Sequence, residues 1–258
     1  MMTRAVKRRK SDRVLNDLGM QIVSGQRAPG DRLPREHDLS RRLGISRPSL
    51  REGPKALVQK GLIEPRTGRG TTINEKHRWN VLDADVLRWI AEAPPDREFY
   101  RTLLEARTII EPAAARLAAA RAGHETILGL ERAYHAMARA LPHDVEACCR
   151  HDLALHELII LATANPILTA LATTIRTALL AAFRLRSNAR ESYENSLAEH
   201  WAVVVAIRKR SPEDAEQAMR ELLAGTARDI APAFEPGRSR KAPAAAPAHR
   251  RRRKHGRR

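Results

Sequence analysis

The hydrophobic positions of this chain recur mostly at helical spacing, and after residue 80 helix formers dominate and β-branched runs are almost absent. A short apolar face at 79–89 comes first, between polar flanks. Longer helical patterns follow at 97–122, 124–141, 143–163, 166–187, 191–209 and 212–231. Six or seven helices joined by short connections predict an antiparallel bundle.

Two helix boundaries in the bundle are marked by local signals. Ser211 followed by Pro212 predicts an N-cap with proline at the first helical position. Asn165 and Pro166 separate two other helices, because the residue before a proline disfavours helical backbone. Both signals favour separate helices over one long helix.

Residues 29–73 have a different pattern, which begins with two short helices. The first carries Leu39 and Leu43 on one face and ends at Gly44, and Ser46 caps the second. The polar positions near the start of the second helix, largely off its apolar stripe, are Arg47, Ser49 and Arg51. A recognition helix presents such positions to the major groove of DNA.

A hairpin is predicted directly after these helices. Two short β-prone runs, 62–64 and 71–73, flank a glycine-rich turn in which Arg66 and Arg69 add positive charge. Two helices followed by such a hairpin form a winged helix-turn-helix. The sequence therefore predicts a mainly α protein, with an N-terminal winged helix-turn-helix and a C-terminal antiparallel helical bundle.

Several short sequence motifs of this region resemble those of the GntR family of bacterial transcription regulators, and they occur in the family's order and spacing. They are PGDRLP (29–34), LGISR (43–47), LRE (50–52), KGLIE (60–64) and GRGT (68–71). The resemblance implies DNA contacts at Arg35, His37, Ser46, Arg47, Ser49, Arg51, Thr67, Gly68, Arg69 and Gly70.

The sequence departs from the family at two points in this domain. Gly53 and Pro54 stand where relatives have an apolar pair, and Pro54 cannot donate a hydrogen bond to the carbonyl of Leu50. We therefore expect the recognition helix to be kinked or short there. His37 stands where some relatives use an arginine, so its contact weakens when the imidazole is neutral.

The second half resembles the effector domain of the FadR branch of this family, the FCD-type domain. The matching segments are WNVLDADVLRW (79–89), EARTIIEPAAARLAAARA (105–122), HDLALHELIILATAN (151–165) and AEHWAVVVAI (198–207). The first of them resembles regulators of sugar-acid catabolism. The resemblance implies a homodimeric repressor that binds a two-fold symmetric operator. It also implies that a small carboxylate or sugar-acid effector controls the affinity of this repressor for DNA.

A candidate ligand site lies in the bundle. Asp152 and His156 are four residues apart and share a helix face, and His200 lies on a later helix. Carboxylate and imidazole ligands suit a divalent ion such as Zn, Ni or Mn. In metal-binding members of the family a further histidine follows, and its position is Leu222 here. Two interpretations stay open, a three-ligand metal site and a metal-free polar effector pocket.

Other polar residues of the bundle are candidates for contacts with an anionic effector. Arg107 matches an arginine that faces the cavity in the family, and it is also placed to pair with Glu105 or Glu111. Asn165 either lines the pocket or has only a turn role before Pro166. Weaker candidates for a second anion contact are Arg184 and Arg186.

The net charge of +17 favours a polyanionic partner. Residues 236–258 hold ten of the basic side chains and no acid, which leaves +7 for the rest of the chain. We expect the tail to be disordered and to contact phosphates without sequence preference. The chain thus divides into a basic N-terminal arm (1–10), the winged helix-turn-helix (11–75), a linker and docking helix (76–96), an effector-binding and dimerisation domain (97–232) and the tail (233–258).

The cysteine content indicates a reducing compartment. Cys148 and Cys149 are adjacent and have no metal-ligand spacing, so we expect two packing thiols in a cytoplasmic protein. The most apolar stretch, 153–182, is interrupted by polar residues and predicts a bundle core, not a membrane span.

Three alternatives to an effector-controlled regulator stay open. One is a regulator whose degenerate bundle no longer responds to an effector, and another is a nonspecific basic DNA-binding protein. The third is a metal-dependent hydrolase that uses the aspartate and histidines of the bundle. It lacks an evident general base and nucleophile motif and leaves the winged helix without a role, so we expect no enzyme.

Overall fold

The structure is a computed structural model that describes residues 2–34, 36–43, 52–68, 70–94, 96–172, 176 and 189–231. Its described part is mainly helical, with one small antiparallel sheet. The predicted fold class, a mainly α chain with a winged N-terminal region and a helical bundle, is confirmed.

The N-terminal region contains three helices and a hairpin. They are α1 (Met2–Val23), α2 (Glu36–Leu43), α3 (Glu52–Gln59), β1 (Ile63–Arg66) and β2 (Gly70–Ile73). The predicted hairpin is confirmed, and its register pairs Ile63 with Ile73 and Arg66 with Gly70. Of the basic arm predicted at 1–10, residues 2–10 form the first turns of α1. The predicted turn and the start of the recognition helix, residues 44–51, lie outside the described residues.

The unusual Gly53-Pro54 pair lies in the first turn of α3, as far as this helix is described. A proline is tolerated there because the first-turn N–H groups have no partner within the helix. Gly53 is buried, and a Cβ on it would lie 3.3 Å from Cγ1 of Val14 in α1. Gly53 therefore lets α1 approach α3 closely, while the kink expected upstream stays a prediction.

The segment expected to be a linker packs on the winged region. A 3-10 helix (Lys76–Arg78) precedes α4 (Ala84–Glu92). The hydrophobic cluster of this half joins residues of the winged helix with four residues of this segment, namely Trp79, Val86, Trp89 and Ile90. The apolar pattern at 79–89 is helical only from Ala84 onward, and α4 packs with its apolar face inward whereas Leu82 is exposed. The division at residue 75 stays a proposal.

Polar contacts fix the two ends of α4. Nζ of Lys60, which follows α3, lies 2.7 Å from Oδ1 of Asp83 and 2.9 Å from Oδ2 of Asp85. Asp83 is also the N-cap of α4. At the other end Nε1 of Trp89 donates to Oδ1 of Asn16 in α1 over 3.1 Å.

The second half is a bundle of long helices, α5 (Arg97–Arg121), α6 (His124–Ala140), α7 (Val145–Leu161), α8 (Ala189–Arg208) and α9 (Pro212–Ile230). α5 packs mainly on α9, α8 on α9, and α6 on α7. α5 begins at the N-cap Asp96 and continues through Pro112, and its second half is rich in buried alanine. Of the helix predicted at 166–187, residues 166–172 and 176 are described, and they are helical.

Three local expectations can be compared with the structure. Cys148 and Cys149 are buried in the core of the bundle, as expected for packing thiols. Pro212 is at the start of α9 as predicted, but the Ser211 side chain makes no capping hydrogen bond to the backbone. Its hydroxyl donates instead to Oδ2 of Asp214 over 2.7 Å, because that carboxylate competes for it.

In the described part of the chain, every helix is too short or too polar to cross a bilayer.

We predict that Gly19→Ala destabilises the protein by about 1–3 kcal/mol, because the added methyl group overpacks the contact between α1 and α4. A Cβ at Gly19 would lie 2.6 Å from ring carbons of the fully buried Trp89. The measurement is the free energy of unfolding in urea. Gly129→Ala is the control, since a Cβ there meets nothing closer than 3.6 Å. Equal effects of the two substitutions would contradict the prediction.

Candidate effector and metal site

Three helices of the bundle place charged side chains in its apolar core. α5 contributes Arg107 and Glu111, α7 contributes Asp152 and His156, and α8 contributes His200. On α5 and α7 the two residues are four apart, so they lie on one helix face. All five are between 1% and 3% exposed. Buried charges of this kind are stable only when they are paired.

Glu111 links α5 to α7. Nε of Arg107 donates to Oε1 of Glu111 over 2.5 Å, and Nη2 donates to Oε2 over 3.3 Å. On the other side, Nδ1 of His156 lies 2.6 Å from Oε2, an ion-pair distance without hydrogen-bond alignment. Of the two partners considered for Arg107, the structure has Glu111, while Glu105 is exposed. Glu111 was not predicted as a site residue.

Asp152 links α7 to α8. Its Oδ1 lies 2.9 Å from Nε2 of His200 and 3.3 Å from Nε2 of His156. Its Oδ2 accepts a hydrogen bond from the buried hydroxyl of Tyr193 over 3.2 Å. Nδ1 of His200 lies 2.6 Å from the carbonyl oxygen of Ser196. The predicted cluster of Asp152, His156 and His200 is therefore assembled, with Tyr193 and Ser196 as additional supports.

Positively and negatively charged side chains alternate along this cluster. Burial alone would raise the pKa of Glu111, but Arg107 and His156 outweigh it and lower that pKa to about 2. Burial alone would lower the pKa of His156, but Glu111 and Asp152 raise it to about 9. Asp152 is buried too, yet its hydrogen bonds with His156 and His200 hold its pKa well below the usual value. Without a bound ion, the positive and negative charges from Arg107 to Asp152 balance.

The residues present fit a divalent metal ion. The ligand atoms of Asp152, His156 and His200 all lie within 4.8 Å of one another, and a tetrahedral ion places its ligand atoms about 3.3–3.6 Å apart. The Ser196 carbonyl can only accept, so Nδ1 of His200 carries a proton, and Nε2 either donates to Asp152 or, without its proton, can bind a cation. Outer acceptors such as this carbonyl typically orient metal-binding histidines.

The position of the fourth family ligand is apolar. Leu222 lies on α9, is 1% exposed and belongs to the bundle's hydrophobic core. It offers no ligand atom, so protein side chains supply three ligands at most from the positions that the resemblance implies. A three-ligand site leaves coordination positions for water or a ligand.

The remaining predicted effector contact lies elsewhere. Oδ1 of Asn165 accepts hydrogen bonds from the backbone N–H groups of Ile167 and Leu168, which favours the turn role over a pocket role. Arg184 and Arg186 lie outside the described residues.

Three residues of the site were missed, and two sequence signals point to them. Glu111 is the one acid in the otherwise apolar and alanine-rich stretch 109–115, four residues after Arg107. Tyr193 and Ser196 precede His200 by seven and four residues, which places all three on one helix face.

The candidate DNA-binding residues are described only in part. His37, Thr67, Gly68 and Gly70 are exposed, as a contact surface requires. His37 is engaged locally, since its ring nitrogens lie 3.4 Å from Oδ1 of Asp38 and 3.2 Å from Nη2 of Arg41. The other positions, Arg35, Ser46, Arg47, Ser49, Arg51 and Arg69, lie outside the described residues.

Comparison with known proteins gives two matching family models. One, described as bacterial regulatory proteins of the gntR family, matches residues 10–73, and the other, the FCD domain, matches residues 102–225.

Curated relatives match along most of the chain. The galactonate operon transcriptional repressor of Escherichia coli (strain K12) is 36% identical over 86% of this chain and 96% of its own length. The transcriptional repressor NanR of Enterobacter sp. (strain 638) is 29% identical over 84% of each chain.

A solved structure supports the fold. It is that of Lar, described as controlling expression of the Listeria monocytogenes agr system, with a TM-score of 0.61 and 19% identity. The match covers 86% of this chain and 96% of that one. At this identity the likeness shows the fold alone.

We predict that Glu111→Gln destabilises the protein by about 3–5 kcal/mol, because it leaves Arg107 buried without its carboxylate partner and removes one of the two carboxylates beside the buried His156. Urea unfolding near neutral pH measures the loss. Glu98→Gln is the matched control, since Glu98 makes an exposed ion pair with Arg101 on the same helix and should leave stability unchanged within error. A loss no larger than that of the control would contradict the role given to Glu111.

Proposed function

Because this chain belongs to the gntR family of bacterial regulatory proteins, we propose that a small sugar acid bound in its helical bundle controls how tightly it holds DNA. With its FCD domain it is a DNA-binding transcriptional regulator of the FadR branch and not an enzyme, so the hydrolase alternative is wrong. Family membership also favours a specific operator over nonspecific DNA binding. The choice of a sugar acid is supported by the relative named for a galactonate operon.

One observation carries the proposed effector site. Arg107 is 2% exposed, and its Nη1 has no hydrogen-bond partner among the described residues. An unsatisfied buried N–H group costs free energy, and a guanidinium with unused donors suits a carboxylate. The same side chain is tied through Glu111 to His156. We therefore place the effector carboxylate beside Arg107, next to the cluster of Asp152, His156 and His200.

We further propose that Asp152, His156 and His200 hold a divalent ion such as Zn, Ni or Mn. A bound ion would act as a Lewis acid that accepts oxygen atoms of the effector at its open positions. The chain's own residues orient the site, since Tyr193 holds Oδ2 of Asp152 and Ser196 holds Nδ1 of His200. If no ion binds, the same residues form a polar pocket.

We propose a homodimer that binds a two-fold symmetric operator and acts as a repressor in the cytoplasm, where the chromosome is. The DNA contacts proposed for each subunit are Arg35, His37, Ser46, Arg47, Ser49, Arg51 and residues 67–70. Effector and DNA sites then share a coupling free energy of about 1–3 kcal/mol. Support for a physical connection comes from Asp96, the N-cap of α5, whose Oδ2 lies 2.5 Å from Nζ of Lys76 beside the winged region.

We predict that D-galactonate binds the full chain and that Arg107→Lys lowers this affinity about tenfold or more, because lysine loses the bidentate fork. Isothermal titration measures binding, with uncharged galactose as the ligand control. Arg101→Lys is the matched protein control, since Arg101 is exposed on the same helix. A DNA-binding titration with and without galactonate then gives the coupling.

Two outcomes of this experiment would contradict the proposal. Equal losses of galactonate affinity in Arg107→Lys and Arg101→Lys would show that Arg107 does not bind the effector. Absence of binding by galactonate and by other sugar acids, with DNA binding intact, would favour the alternative of an unresponsive bundle.

We predict about one transition-metal ion per subunit in protein purified without chelator, and its loss in Asp152→Asn, as measured by mass spectrometry. Leu222→His should raise the affinity for Zn²⁺. Four-ligand zinc sites bind with about 10–16 kcal/mol, or about 3 kcal/mol per ligand, so a fourth ligand should contribute about a hundredfold. The control Leu223→His puts the same side chain in the core one position away.

The metal assignment fails if native protein holds no metal after Zn²⁺ is added and if Leu222→His gains no more affinity than Leu223→His. Circular dichroism of both variants shows whether the bundle still folds. In that case Arg107 with its neighbours forms a metal-free pocket.

A further inference from the structure

The hairpin of the winged region has one apolar and one polar face. Side chains alternate across a strand, so Ile63 and Ile73, which pair in the register, both point into the hydrophobic cluster. Glu64 pairs with Thr72 on the opposite face, and Arg66 pairs with Gly70 there. The hairpin therefore presents charged side chains on the face turned away from its core.

A third segment extends this polar face. Arg32 forms an isolated antiparallel bridge with Thr72, and Leu33 N–H donates to the Thr71 carbonyl over 2.9 Å. The side chains of Arg32, Thr72 and Glu64 consequently lie in one row across three adjacent segments. Arg32 is exposed, and its guanidinium makes no hydrogen bond or ion pair with the residues that the structure describes.

Two further arginines are held beside this row. One carboxylate, Glu64, receives both guanidinium groups, with Nε of Arg66 2.5 Å from Oε1 and Nη1 of Arg78 2.5 Å from Oε2. Nη1 of Arg78 also donates to Oδ1 of the buried Asn74, whose Nδ2 donates to the Gly61 carbonyl. Glu64 and Asn74 thus hold like charges close together. Nη1 of Arg66 and Nη2 of Arg78 have no hydrogen-bond partner among the residues that the structure describes.

These side chains surround a pocket of about 240 Å³. Its polar lining consists of Arg32, Arg66, Thr72, Asn74, Glu75 and Arg78. Three arginines against one lining carboxylate, Glu75, give the pocket wall a positive charge. Glu64 lies behind Arg66 and Arg78 and offsets a further part of that charge.

Thr72, which lines the pocket, carries an unsatisfied hydroxyl. Thr72 is 8% exposed, and its Oγ1 has no hydrogen-bond partner in the described part of the chain. A buried hydroxyl without a partner costs free energy, and such groups in native structures usually have a partner that the protein alone does not supply. An anion seated among the three arginines would accept a hydrogen bond from that hydroxyl.

We propose that this pocket binds a phosphate group, and that the backbone of bound DNA supplies it. A tetrahedral oxyanion offers acceptors both to the guanidinium forks of Arg32, Arg66 and Arg78 and to the Thr72 hydroxyl. The DNA source follows from position, since Arg66 directly precedes Thr67, the first residue of the exposed tip of the wing. This inference rests on the DNA-binding function and not on the proposed effector site.

Arg32→Gln and Thr72→Val test the proposal in the full chain. The probes are a short duplex carrying the sequence that the protein selects from a random pool, and a scrambled duplex of the same composition. A phosphate contact carries no sequence information, so Arg32→Gln should weaken binding to both duplexes alike and lower the salt slope by about 0.9. Arg101→Gln removes the same charge from the bundle surface and should change neither quantity.

Thr72→Val separates binding from stability. Valine has the same shape without the unsatisfied hydroxyl, so the melting temperature of the free protein should stay equal or rise. Affinity for both duplexes should nevertheless fall about tenfold, as expected for a lost hydrogen bond to a charged group. If Thr72 has no role in DNA binding, Thr72→Val leaves the affinity for both duplexes unchanged, and this result would contradict the proposal.

A second measurement distinguishes the source of the phosphate group. Melting temperatures are recorded in sodium phosphate and in sodium chloride at equal ionic strength, for the natural chain and for Arg32→Gln. If phosphate stabilises only the natural chain but the variants bind DNA normally, the pocket takes a free anion and the DNA assignment is overturned. If the variants change neither DNA binding nor the response to phosphate, the site itself is overturned.

Discussion

The packing of the bundle depends on the Glu111 carboxylate, which is buried between a guanidinium on its own helix and an imidazole on α7. A carboxylate this deep in an apolar core is stable only with compensating positive charge on both sides. The requirement extends outward, because His156 in turn needs Asp152, and Asp152 contacts His200 on α8. One buried charge therefore fixes how α5, α7 and α8 face one another, and an effector bound at the site proposed beside Arg107 would act on all three helices.

The winged region and the segment that follows it are connected by a different kind of contact. Trp89 packs against the bare backbone of Gly19, and Lys60 binds two carboxylates at the start of α4. Both contacts join residues that lie far apart in sequence, with Trp89 fully buried and Lys60 largely so. α4 consequently packs as part of the winged region, and α5, the first long helix of the bundle, begins after the N-cap Asp96.

Sequence periodicity and short motifs were sufficient to predict the fold class, the hairpin and the bounds of most helices, because these features depend on the local sequence pattern. Asp152, His156 and His200 were also predictable, since spacing on one helix places the first two together and the family resemblance supplied the third. Glu111 could not be assigned in the same way. Its role requires knowing that α5 and α7 pack side by side, which no local pattern states. Asn165 and Ser211 show the related difficulty that short polar side chains have several possible partners nearby. The arginine pocket was missed because its third arginine comes from a segment more than thirty residues before the hairpin.

Pro112 gives α5 a mechanical property that its neighbours do not share. Its ring nitrogen has no proton, so the carbonyl of Thr108 lacks its partner within the helix, and bending is easiest there. The alanine-rich part beyond it is packed on α9, whereas the part before it carries Arg107 and ends at Asp96. Sixteen residues separate Pro112 from Asp96, which is about 24 Å of helix. A rotation of about 5° at this pivot moves Asp96 by about 2 Å, so α5 has the proportions of a lever arm with its fulcrum one residue from Glu111.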